Sequence, residues 1–231
     1  MSDIKTAESL KEQMLHTYHN GKERGTTTYV DRVDAHWTWR PTEVTLWTGY
    51  QNEGKSLYLE QLSTLKSAKA GWKHGVFSPE NMPAEDWYDN IIEMYIGKSC
   101  DKHYSKNLMT EEEYIKGIDF VNKYFFVIYP EDNFEIETIL ESSDKLIKDE
   151  GIKNLILDPY NTIDHKLRSG EREDLYISRF MSQLKRYAVL NTIPIQLVAH
   201  QLTPQKDEGG RYIKPDVNKI KGGGTFADKA D

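Results

Sequence analysis

The chain has 231 residues, of which 29% are charged, and a formal net charge of −7 at pH 7. This length suits one α/β domain with a single core, and the acidic balance excludes the broad basic face of many nucleic-acid-binding domains, so any DNA contact must come from a few loops. The single cysteine, Cys100, excludes an internal disulfide, and no apolar N-terminal stretch resembles a signal peptide or a membrane span. We therefore expect a cytoplasmic protein.

The first predicted element is an amphipathic helix over residues 3–20, followed by a stop at Gly21. Its apolar residues recur at helical spacing: Ile4, Ala7, Leu10, Met14 and Leu15. Polar residues 25–28 separate this helix from the rest, so residues 1–30 are predicted to form an N-terminal helix and linker. Two alternatives stay open, since such a helix can dock as an arm on a neighbouring subunit or pack on the chain's own core.

Beyond this helix, short apolar runs alternate with longer segments of helical pattern, which predicts a parallel sheet with helices on both faces. The predicted strands are residues 44–47, 75–78, 125–129, 155–158 and 193–199. The predicted helices are residues 56–70, 84–96, 111–124 and 175–190, with a capping box from Thr110 and Glu113 before the third. Ligands of such sheets bind at the carboxyl ends of the strands, so the functional site is expected at that edge.

A phosphate-binding loop is indicated directly after the first predicted strand. The pattern G-x-x-x-x-G-K-S ends at Ser56, where a helix is predicted to begin. Backbone N–H groups would hold phosphates, Lys55 would reach the terminal ones, and Ser56 would bind Mg²⁺. The residues predicted to contact the nucleotide are Gly49, Tyr50, Gln51, Asn52, Glu53, Gly54, Lys55, Ser56 and Leu57. Glu53 tolerates a bound phosphate only if its side chain points to solvent, and the alternative to the whole site is a plain glycine-rich turn.

Two acids follow predicted strands at the same edge of the sheet. Asp158 ends the apolar run 155–158, where it would hold Mg²⁺ through water, although strands that end in Asp are common. Glu80 follows the run 75–78, where a carboxylate could orient the attacking water as a general base. From the residues alone, Glu80 is more simply an acid in the first turn of the helix beyond Pro83.

Together these segments resemble the ATPase domain of DnaB-type replicative helicases and of phage and mitochondrial primase-helicases. The resemblance is carried by residues 49–56, Phe-Ser-Pro-Glu-Asn-Met at 77–82, Leu-Ile-Leu-Asp at 155–158, Leu-Val-Ala-His-Gln at 197–201 and Lys-Ile-Lys-Gly-Gly-Gly-Thr-Phe-Ala-Asp at 219–228. It implies a RecA-like P-loop NTPase fold over residues 31–231, with a mainly parallel central sheet flanked by helices. The family continues with further strands, so the domain is expected to be C-terminally truncated, or a stand-alone ATPase that has lost unwinding.

The resemblance also implies roles for single residues. Glu80 becomes the catalytic base, and His200, at a later strand end, becomes the sensor of the γ-phosphate. A basic residue supplied in trans by the neighbouring subunit falls at Lys221, with Lys219 two places earlier. Many relatives have Arg there, and a Lys lacks the planar guanidinium fork, so weaker stabilisation of the transition state is expected. Without the resemblance, both lysines read as residues of a solvated loop or edge strand.

Two loops correspond to the segments that contact DNA in the family: loop A, residues 164–172, and loop B, residues 202–218. Glycines and prolines make loop B long and irregular. The candidate phosphate partners are Lys166, Arg168, Arg172, Lys206, Arg211 and Lys214. Tyr212 is the one aromatic residue beyond histidine in either loop, which favours contact with the DNA backbone over base stacking. Acids are interspersed, so a plain solvated loop is nearly as good an interpretation for any single residue.

The function implied by the resemblance is an ATP-dependent DNA helicase or translocase ATPase, with ATP and Mg²⁺ as cofactors. It would act on single-stranded DNA as a homo-oligomer, by analogy a hexameric ring, hydrolysing ATP at subunit interfaces, with a primase or loader as a further partner. One alternative is a RecA-like recombinase or mediator-type protein that binds DNA without unwinding it. Another is a phosphotransferase for a small molecule, for which the sequence offers no acceptor motif.

Overall fold

The structure, a computed structural model, describes residues 5–22, 25–103, 106–202, 204, 206–220 and 223–231. The chain divides into two compact units, Met1–Arg40 and Pro41–Asp231. The boundary predicted at residue 30 stays a prediction. None of the helices in the described ranges is long and apolar enough to cross a membrane.

In the first unit, a short 3-10 helix at Glu8–Leu10 leads into helix α1, Lys11–Asn20. The regular helix therefore begins later than predicted, because the backbone N–H and hydroxyl groups of Thr6 and Ser9 bond to each other and hold a turn there. No residue of α1 is buried, and its apolar residues, such as Tyr18, face solvent.

A second short helix of this unit, α2, runs over Asp31–Asp34. Its last residue, Asp34, accepts hydrogen bonds at 2.7 Å from both the backbone N–H and the hydroxyl of Thr28. An antiparallel bridge joins Thr26 to Trp39. These contacts tie the polar segment before α2 to the segment after it.

In the second unit, the described residues form five strands and six α-helices. The strands are β1 (Val44–Gly49), β2 (His74–Phe77), β3 (Phe125–Val127), β4 (Asn154–Leu157) and β5 (Ile195–His200). The helices are α3 (Lys55–Ala70), α4 (Ala84–Ile96), α5 (Glu111–Tyr124), α6 (Ile136–Asp149), α7 (Glu173–Asn191) and α8 (Thr225–Lys229).

The strands form one parallel sheet in the order β1-β5-β4-β2-β3. All residues of β2 and β4 are buried, as expected for central strands covered on both faces. The carboxyl ends of β1, β5, β4 and β2 therefore lie next to one another at one edge. This arrangement confirms the predicted mainly parallel sheet flanked by helices.

Most of the predicted elements are found, with shifted ends. Helix α5 has the predicted bounds and the predicted capping box, in which Thr110 and Glu113 bond to each other's backbone N–H groups. Strand β5 begins two residues later than predicted, at Ile195, because Pro194 has no N–H to contribute to the sheet. Helix α6 was not predicted, although its buried face carries the helical spacing Ile136, Ile139 and Leu140.

A row of mostly buried side chains crosses the sheet, and we call it the polar row: Trp47, Gln196, Asn154, His74 and Phe125. The Trp47 indole donates to Gln196 Oε1 (2.8 Å), and Gln196 Nε2 donates to Asn154 Oδ1 (3.2 Å). Asn154 Nδ2 lies 3.0 Å from His74 Nδ1, and the imidazole stacks on the Phe125 ring at 5.1 Å. Burial lowers the pKa of His74 to about 3, so the imidazole is neutral.

Candidate functional site

The candidate phosphate loop joins β1 to α3 through two left-handed residues, Asn52 (φ 62°) and Gly54 (φ 77°). Asn tolerates this conformation better than most residues, which explains how it occupies a position where glycine is frequent. Gly54 is the residue directly before α3, and its φ favours glycine even though a side chain would meet no neighbour there. The loop therefore makes the sharp turn needed to aim its backbone at the start of the helix. Leu57, in the first turn of α3, is exposed.

Tyr50 is the most heavily bonded residue of this loop. Its backbone N–H donates to Glu53 Oε2 (2.9 Å), and its carbonyl accepts from Lys55 Nζ (2.8 Å). Its hydroxyl donates to the carbonyl of Ile213 in loop B (2.7 Å). The Glu53 carboxylate thus turns back onto the loop, which contradicts the expectation that it points away to solvent. The physical reason is that the backbone N–H groups of such a loop attract an anion, and the Glu53 carboxylate is close enough to supply one.

Four side chains from three separate segments influence one another's ionisation at the carboxyl edge of the sheet. Burial lowers the pKa of Lys55, while the carboxylates of Asp158, Glu53 and Glu80 act in the opposite direction. Burial raises the pKa of Asp158 to about 6; a hydrogen bond with Ser56 opposes this rise, and the negative charge of Glu80 adds to it. Lys55, Ser56, Asp158 and Glu80 therefore lie together, as the sequence predicted.

The oxygen atoms of Ser56 and Asp158 suit Mg²⁺, a hard cation that usually takes one or two protein ligands plus phosphate oxygens and water. Within the described ranges, no group of three or more His, Cys, Asp and Glu residues could hold a metal ion by itself. The residues present thus fit a metal that is held jointly with a nucleotide. They do not fit a metal held by the protein alone.

Glu80 lies in a short 3-10 helix, Pro79–Asn81, directly after β2. Its Oε1 accepts a long hydrogen bond from Asn161 Nδ2 (3.4 Å), and its Oε2 lies 3.8 Å from His200 Nε2 at the end of β5. The second distance is beyond hydrogen bonding, so the two form an ion pair only when the imidazole is protonated. The structure brings the predicted base and the predicted sensor next to each other, while Lys221 lies outside the described residues.

Glu60 is a largely buried acid that sequence analysis missed. It lies one turn after Ser56 on α3, and its Oε1 accepts from the indole N–H of Trp87 on α4 (2.7 Å). Burial raises the pKa of Glu60 to about 7, and the negative charge of Asp158 contributes to the rise. Nothing in its sequence neighbourhood marks Glu60, because the contact with Trp87 is long-range.

We expect Glu60→Gln to make the protein more stable at alkaline pH, because Gln keeps the acceptor for Trp87 and cannot ionise. The unfolded state deprotonates Glu60 near pH 4.5, whereas the folded state holds the proton to about pH 7. The wild type therefore loses stability as pH rises through this window, and the variant does not. The difference in the free energy of unfolding should grow by on the order of 2 kcal/mol between pH 4.5 and about pH 8.

The measurement is urea unfolding of both proteins at several pH values, with Glu141→Gln, an exposed residue of α6, as the control. The control should follow the wild-type curve throughout. A Glu60→Gln curve parallel to the wild type across the whole range would contradict the assignment.

Loop A carries two of its predicted cations in ion pairs. Lys166 Nζ lies 2.5 Å from Glu135 Oε1, and Arg172 Nη2 lies 2.7 Å from Asp174 Oδ2. Both cationic side chains are largely exposed, at 70% and 78%. They can therefore reach a phosphate, but a nucleic acid would have to compete with the local acids.

Arg179 of α7 organises loop A and was missed from the sequence. Its guanidinium pairs with Glu171 (2.9 Å) and donates to the carbonyl of Lys166 (3.1 Å). Glu171 also accepts from the backbone N–H of Arg168 (2.8 Å). A basic residue on an amphipathic helix gives no sequence signal for such a role, because its partners lie in the preceding loop.

The described part of loop B presents its cations around a small hairpin. Lys206 and Tyr212 form an antiparallel bridge, and the Lys206 ammonium lies 5.0 Å from the Tyr212 ring centre. Asp207 and Arg211 close the turn, with the backbone N–H of Arg211 donating to Asp207 Oδ1 (2.9 Å). Lys214 follows as an exposed residue.

Comparison with known proteins supports the fold and the resemblance. No family model matches the chain. The Twinkle homolog protein, chloroplastic/mitochondrial, of Arabidopsis thaliana is 30% identical over 217 residues, which are 92% of this chain and 30% of that protein. The chain thus spans less than a third of the length of this curated relative.

Two solved structures share the architecture. The ATPase domain of a DnaB-like helicase superposes with a TM-score of 0.74 at 12% identity, covering 96% of this chain and 81% of that one. A DnaB-like replicative helicase, described with its interactions with primase, superposes with a TM-score of 0.72 at 13% identity, covering 100% of this chain and 56% of that one.

These comparisons confirm the predicted RecA-like fold and the resemblance to DnaB-type ATPase domains. The parallel sheet flanked by helices is the one found in those domains. They do not favour the alternative of a recombinase or mediator-type protein.

Proposed function

We propose that this chain is an ATP-dependent DNA helicase or translocase ATPase that acts on single-stranded DNA. The observation that carries the proposal is the meeting of Lys55, Ser56, Asp158 and Glu80 at the carboxyl edge of a parallel sheet. A lysine and backbone N–H groups that hold phosphates, beside a carboxylate that can activate water, form the parts needed for hydrolysis of a nucleoside triphosphate. The similarity to a Twinkle homolog protein supports DNA as the macromolecule on which the energy is used.

In this proposal the phosphate loop releases its internal bonds when ATP binds. Lys55 moves from the Tyr50 carbonyl to the terminal phosphates, and the loop N–H groups take up phosphate oxygens. Ser56 and Asp158 hold Mg²⁺, which when bound supplies positive charge to the phosphate oxygens. Because burial raises the pKa of Asp158 only to about 6, its carboxylate is ionised at neutral pH.

Glu80 accepts the proton of the attacking water. Its exposed carboxylate faces the site beside Asn161, which orients one oxygen. His200 lies close enough to Glu80 to respond when a γ-phosphate arrives, and it passes this change to loop B, which begins two residues later. Lys221 is proposed to act on the neighbouring subunit's nucleotide, less strongly than an arginine would.

The proposed assembly is a homo-oligomer, a hexameric ring by analogy, with cytoplasmic location and a primase or loader as a further partner. Exposed apolar residues of α1, Met14, Leu15 and Tyr18, support a contact with a neighbouring subunit. In such a ring, loops A and B would offer Lys166, Arg168, Arg172, Lys206, Arg211 and Lys214 to the DNA backbone.

The testing experiment is steady-state ATP hydrolysis with and without single-stranded DNA. We expect DNA to accelerate turnover, and Lys55→Ala to lower it by roughly 10²–10³-fold, as the loss of one preorganised charge at a developing anion does. Lys69→Ala, an exposed lysine at the other end of α3, is the matched control and should behave as the wild type.

Separation of a forked duplex under the same conditions distinguishes unwinding from translocation alone. Hydrolysis that is absent, or unchanged by DNA at every concentration, would contradict the proposed function.

A further inference from the structure

The Tyr50 side chain directly connects the phosphate loop to loop B. Its hydroxyl donates to the carbonyl of Ile213 at 2.7 Å, although the two residues are 163 positions apart in the chain. The residue is only 9% exposed, so its ring is held on most sides and has little freedom to turn away. A tyrosine ring with both ends fixed transmits a displacement of its backbone to the group that its hydroxyl touches.

The backbone of Tyr50 is the part of the loop that must rearrange when a phosphate enters. Its N–H is bonded to the Glu53 carboxylate, and its carbonyl is bonded to the Lys55 ammonium. A bound triphosphate competes for both, because phosphate oxygens attract the ammonium and the loop N–H groups and repel the carboxylate. Both backbone polar groups of one residue therefore change partner in the same event.

The other end of the connection lies among the cations of loop B. Ile213 stands between Arg211 and Lys214, and its carbonyl is the acceptor from Tyr50. A second connection runs nearby, since Gln201 Nε2 donates to Thr48 Oγ1 (3.0 Å) at the end of β1 and to the Asp216 carbonyl (2.9 Å). Loop B is thus attached on two sides to the strand that carries the phosphate loop.

We infer that Tyr50 is a positioning residue whose hydroxyl couples nucleotide binding to the placement of the loop B cations, so that nucleotide and single-stranded DNA change each other's affinity through the Tyr50–Ile213 bond. This inference rests on the proposed function and goes beyond it, because a helicase or translocase site can bind both ligands without this bond. By linkage, the effect of nucleotide on DNA affinity equals the effect of DNA on nucleotide affinity.

The first test is the coupling factor, the ratio of the Kd for a fluorescent oligo-dT strand without nucleotide to the Kd with a saturating non-hydrolysable ATP analogue. Tyr50→Phe keeps the ring and removes only the hydroxyl, so we expect its coupling factor to fall by about three- to tenfold, the loss expected for one neutral hydrogen bond. Tyr58→Phe makes the same chemical change at a half-exposed position of α3 and should keep the wild-type factor.

The second test needs no DNA and follows amide hydrogen exchange of residues 206–216. In the wild type, the ATP analogue should change exchange in this segment, and in Tyr50→Phe the change should disappear while exchange in α3 still responds to the analogue. Equal coupling factors in wild type and Tyr50→Phe, or an unaltered exchange response, would overturn the inference and leave the proposed function standing. A wild type that binds the analogue and ignores oligo-dT would overturn the proposed function, and the exchange measurement would still decide whether the bond transmits.

Discussion

Glu80→Gln should lower the rate of ATP hydrolysis by roughly 10²–10⁴-fold, the usual contribution of a positioned general base, while ATP still binds. Gln has nearly the same shape and keeps an oxygen for the Asn161 amide, so the short helix after β2 should keep its conformation. It cannot accept the proton of the attacking water. Removing the charge also relieves its repulsion of Asp158, which further favours nucleotide binding.

The measurement combines single-turnover hydrolysis with equilibrium binding of a fluorescent ATP analogue. Glu85→Gln is the matched control, because Glu85 is an exposed acid in the first turn of α4, soon after Glu80 in the chain. It should hydrolyse ATP at the wild-type rate. Near-normal hydrolysis by Glu80→Gln would show that Glu80 is only an acid ahead of α4 and that the base lies elsewhere.

Leu184→Ala should lower the free energy of unfolding by about 3–4 kcal/mol, within the range found for buried leucines. Leu184 is fully buried on α7, in the core cluster that also contains Leu197 of β5 and Phe77 of β2. Truncation removes apolar contacts and leaves a cavity in the core beneath the two strands that lead to His200 and Glu80.

Leu190→Ala tests the same substitution near the end of the same helix, where the side chain is 71% exposed. Its effect should stay within about 0.5 kcal/mol, as for surface substitutions in general. Urea unfolding of both variants gives the comparison. Similar losses for the two leucines would mean that α7 does not cover the sheet as described.

Local signals in the sequence were sufficient for much of the fold. The capping pair Thr110 and Glu113 defined the start of α5, and Gly97 and Gly71 follow α4 and α3 in the left-handed conformation that ends helices. Helix α6 was missed although Ile136, Ile139 and Leu140 have helical spacing, because the acidic segment before it hides its start. The order of the strands could not be predicted, since it depends on which crossovers pack rather than on any one segment.

The candidate site divides in the same way. Lys55, Asp158 and Glu80 were found because strand ends in a parallel sheet meet at one edge, so that residues far apart in the chain could be placed together. Glu60, Asn161 and Arg179 were not found. Each acts through contacts with residues outside its own segment, and a single sequence does not reveal such pairs.

The polar row has a consequence for the opposite edge of the sheet. If β4 slipped by one residue against its neighbours, Leu155 would stand between His74 and Gln196, and buried amide and imidazole groups would lose their bonds at a cost of several kcal/mol. A hydrophobic row would tolerate this slip far better. Because the slip is penalised there, Asp158 and His200 reach fixed heights at the other end of their strands. Strand register, set by buried amides far from the phosphates, thus determines the geometry in which the acid and the imidazole face a nucleotide.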